Sequence, residues 1–284
     1  LWAGTASGHL YRLPPGEHQL IPHGLQDRAS GKVSQSRVWY LGASERKTLW
    51  MGLSEGLYEL DPRSGEFSIV IEACDEIPMG TSAIRTSLAD TDGGFWFGGG
   101  GAGLIHFDRD QGVTAVLGQT ADQPDSLSNN QVRSLYLSPE GHLWVGTHNG
   151  LNLLRNEDRR ARRNRFTLFT VADGLPNNTI YGIVPDPDGK HLWLSTNAGL
   201  SRMHMGKQRF RNFSVTDGLA ANELNGGAEL QATDGTLYFG TVNGLSWMHP
   251  GQMPLNQQAP QVMLTGLRHS CLLYTSDAAD DLFR

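Results

Sequence analysis

The sequence has little cysteine and no long apolar run. Its two cysteines, Cys74 and Cys271, are too few for the disulfide framework of a small secreted domain. No stretch approaches the roughly 20 apolar residues that a membrane-spanning helix needs. Positive charge is also scarce, since 23 Lys and Arg stand against 29 Asp and Glu, giving a formal net charge of −6. We therefore expect no nucleic-acid partner.

Helical periodicity is missing as well. No helical pattern of roughly 10 to 15 residues separates the β-branched runs, which argues against alternating strands and helices. Glycine, in contrast, is abundant, at 35 of 284 residues, against a usual share of about 7%. It shows no three-residue period, so a collagen helix is excluded. The excess predicts the many tight turns of an all-β chain.

A short phrase occurs six times: a hydrophobic residue, an aromatic one and, two positions after the aromatic, glycine or serine. The aromatic residues lie 45 to 49 positions apart, and in five units a glycine followed directly by a hydrophobic residue comes six or seven positions later. In the first unit Gly8-His9-Leu10 is the loosest copy. The six aromatic residues are Trp2, Trp50, Trp96, Trp144, Trp193 and Tyr238. Such a period, with turn residues that divide each unit into four short strands, is typical of a β-propeller.

One unit illustrates the predicted blade, with strands at 179–184, 191–196, 200–205 and 210–215. We expect an all-β fold, a β-propeller of about six four-stranded antiparallel blades over residues 1–250. The aromatic side chains are expected to pack one blade on the next. We also expect the ring to be an incomplete fragment whose open faces make the isolated chain poorly soluble or self-associating.

The segment from Leu143 to Leu151, Leu-Trp-Val-Gly-Thr-His-Asn-Gly-Leu, resembles the repeat of two-component regulator propellers. Segments 166–178 and 210–219 fit the same family, and the resemblance extends over roughly residues 1–250. Ser195 in place of glycine, Tyr238 in place of tryptophan and an irregular loop at 98–101 depart from the pattern.

This resemblance implies a non-catalytic, periplasmic sensor region of an inner-membrane bacterial regulator. The output module, a histidine kinase or a diguanylate cyclase, would lie outside this chain. The implied partners are a small or polysaccharide-derived ligand, a C-terminal immunoglobulin-like YYY domain and a second copy of the parent protein. Residues 251–270 are then a linker and the first YYY strand, because 259–267 resembles the opening of that domain.

Residues 271–284 differ in character from the rest. They show no strand alternation and resemble the translation of a sequencing adaptor joined to a truncated gene. We predict a non-native tail and exclude it, with Cys271, from the fold.

Polar residues recur in the loops between units and in the turns between second and third strands. Propeller geometry puts both on one face, around the mouth of the central channel. Amide side chains there suit sugars or other polar ligands, although asparagine is equally a turn former. The candidate ligand-binding residues are Asn129, Asn130, His148, Asn149, Asn177, Asn178, Asn197, Asn222, Glu223 and Asn243.

No pattern points to catalytic residues, a metal site or a cofactor. The histidines lack the spacing of zinc ligands, and the acidic stretches at 92–94, 186–189 and 234–235 are typical of turns. The arginine-rich run at 159–165 is interpreted as a solvated loop, with an anionic partner as the alternative.

Two other functions stay open. A polysaccharide lyase or glycoside hydrolase would place carboxylates roughly 5 to 10 Å apart at the channel mouth. A protein-interaction scaffold would expose a broad apolar patch.

Overall fold

The computed structural model describes residues 1–24, 26–27, 36–72, 74, 77, 84–252, 266–269 and 272–275. The chain divides into two compact units, Leu1–Pro250 and Gly251–Arg284. The described residues of the first unit form a six-bladed β-propeller of small sheets with almost no helix, which confirms the predicted fold class.

The first two sheets differ from the predicted four-stranded blade. The first has the strands β1 (Trp2–Gly4), β2 (Leu10–Arg12) and β3 (Ile21–His23). The second has β4 (Gln26–Asp27), β5 (Tyr40–Ala43), β6 (Leu49–Leu53), β7 (Gly56–Leu60) and β8 (Glu66–Glu72). In the second sheet β4 pairs in parallel with β8, so this blade gains a fifth strand at its outer edge.

Blades three to five have the predicted four antiparallel strands. The third comprises β9 (Ile84–Ala89), β10 (Phe95–Gly99), β11 (Leu104–Asp108) and β12 (Gly112–Leu117). The fourth comprises β13 (Val132–Leu137), β14 (Leu143–Thr147), β15 (Gly150–Leu154) and β16 (Phe166–Phe169). The fifth comprises β17 (Ile180–Pro185), β18 (His191–Thr196), β19 (Gly199–His204) and β20 (Arg209–Phe213).

The sixth blade has three strands, β21 (Leu224–Gln231), β22 (Leu237–Thr241) and β23 (Gly244–Met248). The helices of the described residues are short. They are α1 (Asn156–Arg160) and three 3₁₀ turns, Val171–Asp173, Val215–Asp217 and Pro250–Gln252. Thr170 and Ser214 begin the first two 3₁₀ turns with reciprocal side-chain caps, each closed by an Asp three residues later.

The repeated tryptophan packs each blade on the next, as the sequence predicts. Trp50 is fully buried and meets Phe95 and Phe97 of the third blade edge to face, with ring centroids 5.3 and 5.4 Å apart. Trp96 and Trp144 are buried in the same way against the fourth and fifth blades. The core is therefore a series of layers between sheets, and aromatic pairs of this geometry add stability beyond the area they bury.

Glycine permits the close approach of neighbouring blades near the axis. A Cβ atom on Gly98 would overlap the side chain of Val132, which lies on the first strand of the following blade. Gly146 has the same relation to Ile180. The glycine of the repeated phrase is thus required by packing between blades, not by backbone torsion.

The sixth blade leaves one face uncovered. Tyr238, which takes the place of the repeated tryptophan, pairs with Leu230 on one side and with Trp247 on the other. Trp247 is 68% exposed and Leu230 61% exposed. This row corresponds to the face that the following blade covers in blades two to four.

The second unit is described only at Gly266–His269 (β24) and Leu272–Thr275 (β25), which pair antiparallel. The strand β25 lies within residues 271–284, which the sequence analysis excluded from the fold as a non-native tail; that the tail is non-native stays a prediction. The four residues of β25 are uncharged and include three with large apolar or aromatic side chains, which suits a hairpin strand. The predicted YYY strand at 259–267 lies outside the described residues except for its last two positions.

Candidate functional site

In blades three to five the first strand lines the axis, and an irregularity at its start brings one side chain out of the ladder. In the fourth blade Val132 pairs with Thr147 and Ser134 with Gly146, so Arg133 has no partner across the ladder. Arg85 in β9 and Tyr181 in β17 occupy the same position. A bulge of this kind redirects a side chain, here next to the turn between the second and third strands.

These bulged residues form a continuous group with their neighbours across four blades. The guanidinium carbons of Arg37 and Arg85 each lie 4.6 Å from the ring centre of Trp39, which directly precedes β5. Arg133 lies 6.0 Å from the ring of Tyr181 in the next blade. We call Arg37, Trp39, Arg85, Arg133, His148 and Tyr181 the mouth cluster.

His148 joins this group from the turn between β14 and β15. The Nε of Arg133 donates to its Nε2 at 2.7 Å, so that nitrogen carries a lone pair and the imidazole is neutral. Burial, and then the charges of Arg133 and Arg85, lower the pKa of His148. His148 therefore holds Arg133 in place as an uncharged acceptor.

Positive charge accumulates in the mouth cluster. Burial lowers the pKa of Arg85, and the charges of Arg133 and Arg37 lower it further. Burial also lowers the pKa of Arg133. None of the six residues carries a carboxylate, so the cluster can bind an anion or stack on a ring but lacks the two carboxyl groups of a glycoside hydrolase.

Five of the predicted ligand-binding amides hold the loops together. The Oδ1 atoms of Asn129 and Asn177 each accept from the backbone two residues later, at 2.8 Å in both cases. The same atoms of Asn130, Asn178 and Asn222 accept from the backbone N–H of residues 119, 171 and 215. These contacts assign the five amides a loop-bracing function, and their part in binding stays a prediction.

The remaining predicted residues lie on the same face. Asn197 accepts a hydrogen bond from the Tyr181 hydroxyl at 3.4 Å, so it borders the mouth cluster. Asn149 donates to the carbonyl of Ser128 at 3.5 Å. Glu223 and Asn243 are exposed beside the sixth blade. Of the ten predicted residues, the structure brings His148 and Asn197 together with the mouth cluster.

The sequence analysis missed the other five residues of the mouth cluster, although the repeat carries a signal for them. Trp39, Arg85 and Arg133 each precede the tryptophan of the next repeated phrase by 11 positions, and Tyr181 precedes Trp193 by 12. Aligning the units on their tryptophans would have placed Trp39, Arg85 and Arg133 in one column and Tyr181 in the column beside it. The differences in that column, between aromatic and cationic side chains, distinguish it from the invariant packing positions.

The arginine-rich run at 159–165 is only in part the solvated loop that the sequence suggested, because Arg160, Arg163 and Arg165 are exposed while Arg159 and Arg162 are not. Arg159 is 1% exposed and pairs with the buried carboxylate of Asp90 in the preceding blade and with Asp92, the latter at 2.7 Å. Arg162 donates to Asp90 at 3.3 Å and to His106 at 2.9 Å. The short helix α1 makes this possible because it turns the run back onto the third blade.

We call Asp90, Asp92, His106, Arg159 and Arg162 the rim cluster. Asp90 also accepts from the indole Nε1 of Trp96 at 2.7 Å. Burial, followed by the charge of Arg162, lowers the pKa of His106 to about 4. His106 is therefore neutral at pH 7, while the two aspartates balance the arginines. This cluster ties two blades together and has the composition of a structural ion network.

A third polar group lies in the fifth blade. Ligand-type atoms of Asp186, Asp188 and His191 lie within 4.8 Å of one another. Arg202 donates to both carboxylates, at 2.7 and 3.0 Å, and Trp193 donates to Asp186 at 2.9 Å. The positive charge that these acids require thus comes from Arg202.

Among the described residues, no helix has the length and apolar character needed to cross a membrane. The family of two component regulator propellers matches at residues 126–149 and 174–198. Histidine kinase P4 of Formosa agariphila is 28% identical over 234 residues, which cover 66% of this chain and 17% of that protein.

Solved structures share the fold. The extracellular domain of a putative hybrid two component system from B. thetaiotaomicron superposes with a TM-score of 0.75 at 23% identity. That match covers 93% of this chain and 34% of the other. Virginiamycin B lyase from Staphylococcus aureus matches 86% of this chain and 77% of its own, with a TM-score of 0.55 and 13% identity. Propellers of this shape therefore occur in both sensors and enzymes.

This chain thus spans about a third or less of the sensor proteins that it matches. The two matched segments run from just before β13 into the turn after β14, and from the loop before β17 into the turn after β18. They contain Arg133, His148 and Tyr181, so half of the mouth cluster lies within the matched repeats. The chain is a six-bladed propeller in which two segments match the family of two component regulator propellers.

Proposed function

We propose that this propeller is the ligand-sensing, non-catalytic part of a membrane-bound bacterial two-component regulator, and that it works in the periplasm. The observation that carries the proposal is the mouth cluster, which presents cationic and aromatic side chains at one end of the channel. The similarity to the extracellular domain of a hybrid two component system supports the location.

An enzymatic propeller is the alternative, since a lyase shares the fold. Glycoside hydrolysis needs two carboxyl groups roughly 5 to 10 Å apart, and the mouth cluster contributes none. Its cationic and aromatic side chains favour ligand recognition over glycoside hydrolysis. The predicted partners, a polysaccharide-derived ligand, a YYY domain and a second copy of the parent protein, are part of the same proposal.

The test combines a genetic and a biochemical measurement. The gene is read on both sides of this segment, where we expect a signal peptide upstream and a YYY domain, a membrane helix and a kinase or cyclase downstream. The purified chain is then incubated with a panel of oligosaccharides, with binding followed by thermal shift and cleavage by the release of reducing or unsaturated ends. Binding without cleavage supports a sensor. Cleavage, or a parent gene without a membrane helix, contradicts the proposal.

A further inference from the structure

Three arginines stack on buried tryptophans outside the mouth cluster, and their ion pairs can be compared with those of the mouth arginines. Arg109 lies 4.7 Å from the ring centre of Trp50 and pairs with Glu59 at 2.9 Å. Arg162 and Arg202 stack on Trp96 and Trp193 in the same way, and both pair with aspartates. At these packing positions, each stacked cation is neutralised by a carboxylate of the chain itself.

Arg133 departs from that rule. It faces the ring of Tyr181, its Nε is engaged by the neutral His148, and among the described residues it forms no ion pair with a carboxylate. Arg37 likewise has no carboxylate partner in the part of the chain that the structure describes. Folding therefore brings like charges together in the mouth cluster, and for Arg133 and Arg37 no described residue supplies the compensating carboxylate.

The geometry indicates what that anion looks like. A guanidinium group offers parallel N–H donors that match the two oxygens of a carboxylate or a sulfate. Arg133 is held by His148 and by the bulge that begins β13, so its planar group is oriented before a ligand arrives. Tyr181 supplies an aromatic ring beside it, and Asn197, which binds the Tyr181 hydroxyl, adds an amide at the same edge.

We propose that the mouth cluster binds an oxyanion, and that the ligand of this propeller is a carbohydrate that carries carboxylate or sulfate groups. This inference rests on the proposed sensor function and names the ligand class for the same site. Arg133 is the central oxyanion contact, Arg85 and Arg37 extend the cationic surface towards the second blade, and His148 positions Arg133. The net charge of −6 means that attraction to a polyanion is local to the mouth and not a property of the whole chain.

The experiment is isothermal titration calorimetry of the full chain with three hexasaccharides: an oligogalacturonate, a sulfated heparin fragment and the neutral maltohexaose. The first two separate carboxylate from sulfate as the recognised group. We expect at least one anionic probe to bind and the neutral probe not to bind. Raising the salt concentration from 50 to 500 mM should weaken binding, because the contact is between exposed charges.

The decisive variant is Arg133→Gln, with Arg133→Lys as the conservative form and Arg160→Gln as the matched control on the rim. Loss of a charge-assisted hydrogen bond weakens affinity by about ten- to a hundredfold, so we expect a loss of this size for Arg133→Gln. We expect a partial loss for Arg133→Lys and none for Arg160→Gln. The thermal midpoint of each variant, measured without ligand, shows that the protein is folded.

Two results would overturn the oxyanion assignment: binding of the neutral hexasaccharide that Arg133→Gln leaves unchanged, or no binding of either anionic probe. The first leaves a sensor with a neutral ligand, so it separates failure of this inference from failure of the proposed function. Cleavage of a probe is the outcome that removes the sensor function itself.

Discussion

The rim cluster and the mouth cluster are both rich in arginine, yet they differ in what surrounds the charge. At the rim, Arg159 and Arg162 meet Asp90 and Asp92 across the boundary between two blades. At the mouth, Arg133 meets the neutral imidazole of His148. An arginine that is paired with a carboxylate of the same chain stabilises the packing of the two blades. An arginine without such a carboxylate can pair with an anionic group of a ligand.

The largest expected effect comes from breaking the rim cluster with Asp90→Asn. The substitution keeps the shape of the side chain but leaves the almost fully buried Arg159 without its main counter-charge. Removing one partner of a buried ion pair costs about 3–5 kcal/mol, and we expect a loss of this size in urea unfolding. Asp110→Asn, on an exposed turn of the same blade, serves as the control. Equal midpoints for the two variants would show that the rim charges do not hold the blades together.

Glu229 extends the comparison to a negative charge, because it is a buried carboxyl group. Its side chain lies where a Cβ on Gly182 would be, and its Oε2 atom has no hydrogen-bond partner among the described residues. Burial raises the pKa of Glu229 to about 7. The folded state therefore favours the protonated form of Glu229. The contribution of this group to the free energy of unfolding is greatest below pH 4.5 and falls as the pH rises towards 7.

Glu229→Gln removes this penalty. A pKa difference of this size corresponds to about 3 kcal/mol, so we expect the variant to be more stable than the wild type by up to about 3 kcal/mol at pH 8. At pH 4 the two proteins should unfold together. Urea unfolding at both pH values measures the difference. A gain that is the same at pH 4 and pH 8 would rule out titration of Glu229 as its cause.

Arg133→Gln tests the mouth side of the comparison without a ligand. Because Arg133 forms no described ion pair and adds to the repulsion around Arg85, its loss should change stability by less than about 1 kcal/mol. The pKa of the His148 imidazole should rise, since one of the charges that lower it is gone. An NMR titration of the imidazole measures this shift. A stability loss as large as that of Asp90→Asn would assign Arg133 a packing role.

The smallest effect is expected for Arg160→Gln, which also belongs to the arginine-rich run. Its side chain is 63% exposed and contacts Asp92 at the surface. Water and salt screen an exposed pair, so the unfolding midpoint should not change measurably. A clear loss would extend the rim cluster to the surface.

The repeat made the fold predictable, because the tryptophans at 50, 96, 144 and 193 mark one strand in each blade and their burial follows from stacking. Neither cluster was predicted. Asp90 and Arg159 are 69 positions apart and meet only because α1 turns the run back. The bulged position of Arg133 depends on the register between β13 and β14, and the sequence of one strand does not specify that register.

The sequence analysis did single out the loop asparagines. It could not tell that their amide oxygens accept from backbone N–H groups, because this depends on which backbone groups lack a partner in the folded loops.

The bulges have a consequence for how such a protein changes over generations. Each bulged residue lies outside the strand pairing, so its codon can mutate without altering the register or the tryptophan layers. The bulged positions of Arg85, Arg133 and Tyr181 are 48 codons apart, so duplication of a blade copies one of them and later mutation alters it alone. A propeller of this kind can acquire a new ligand one blade at a time while the ring that carries the mouth stays the same.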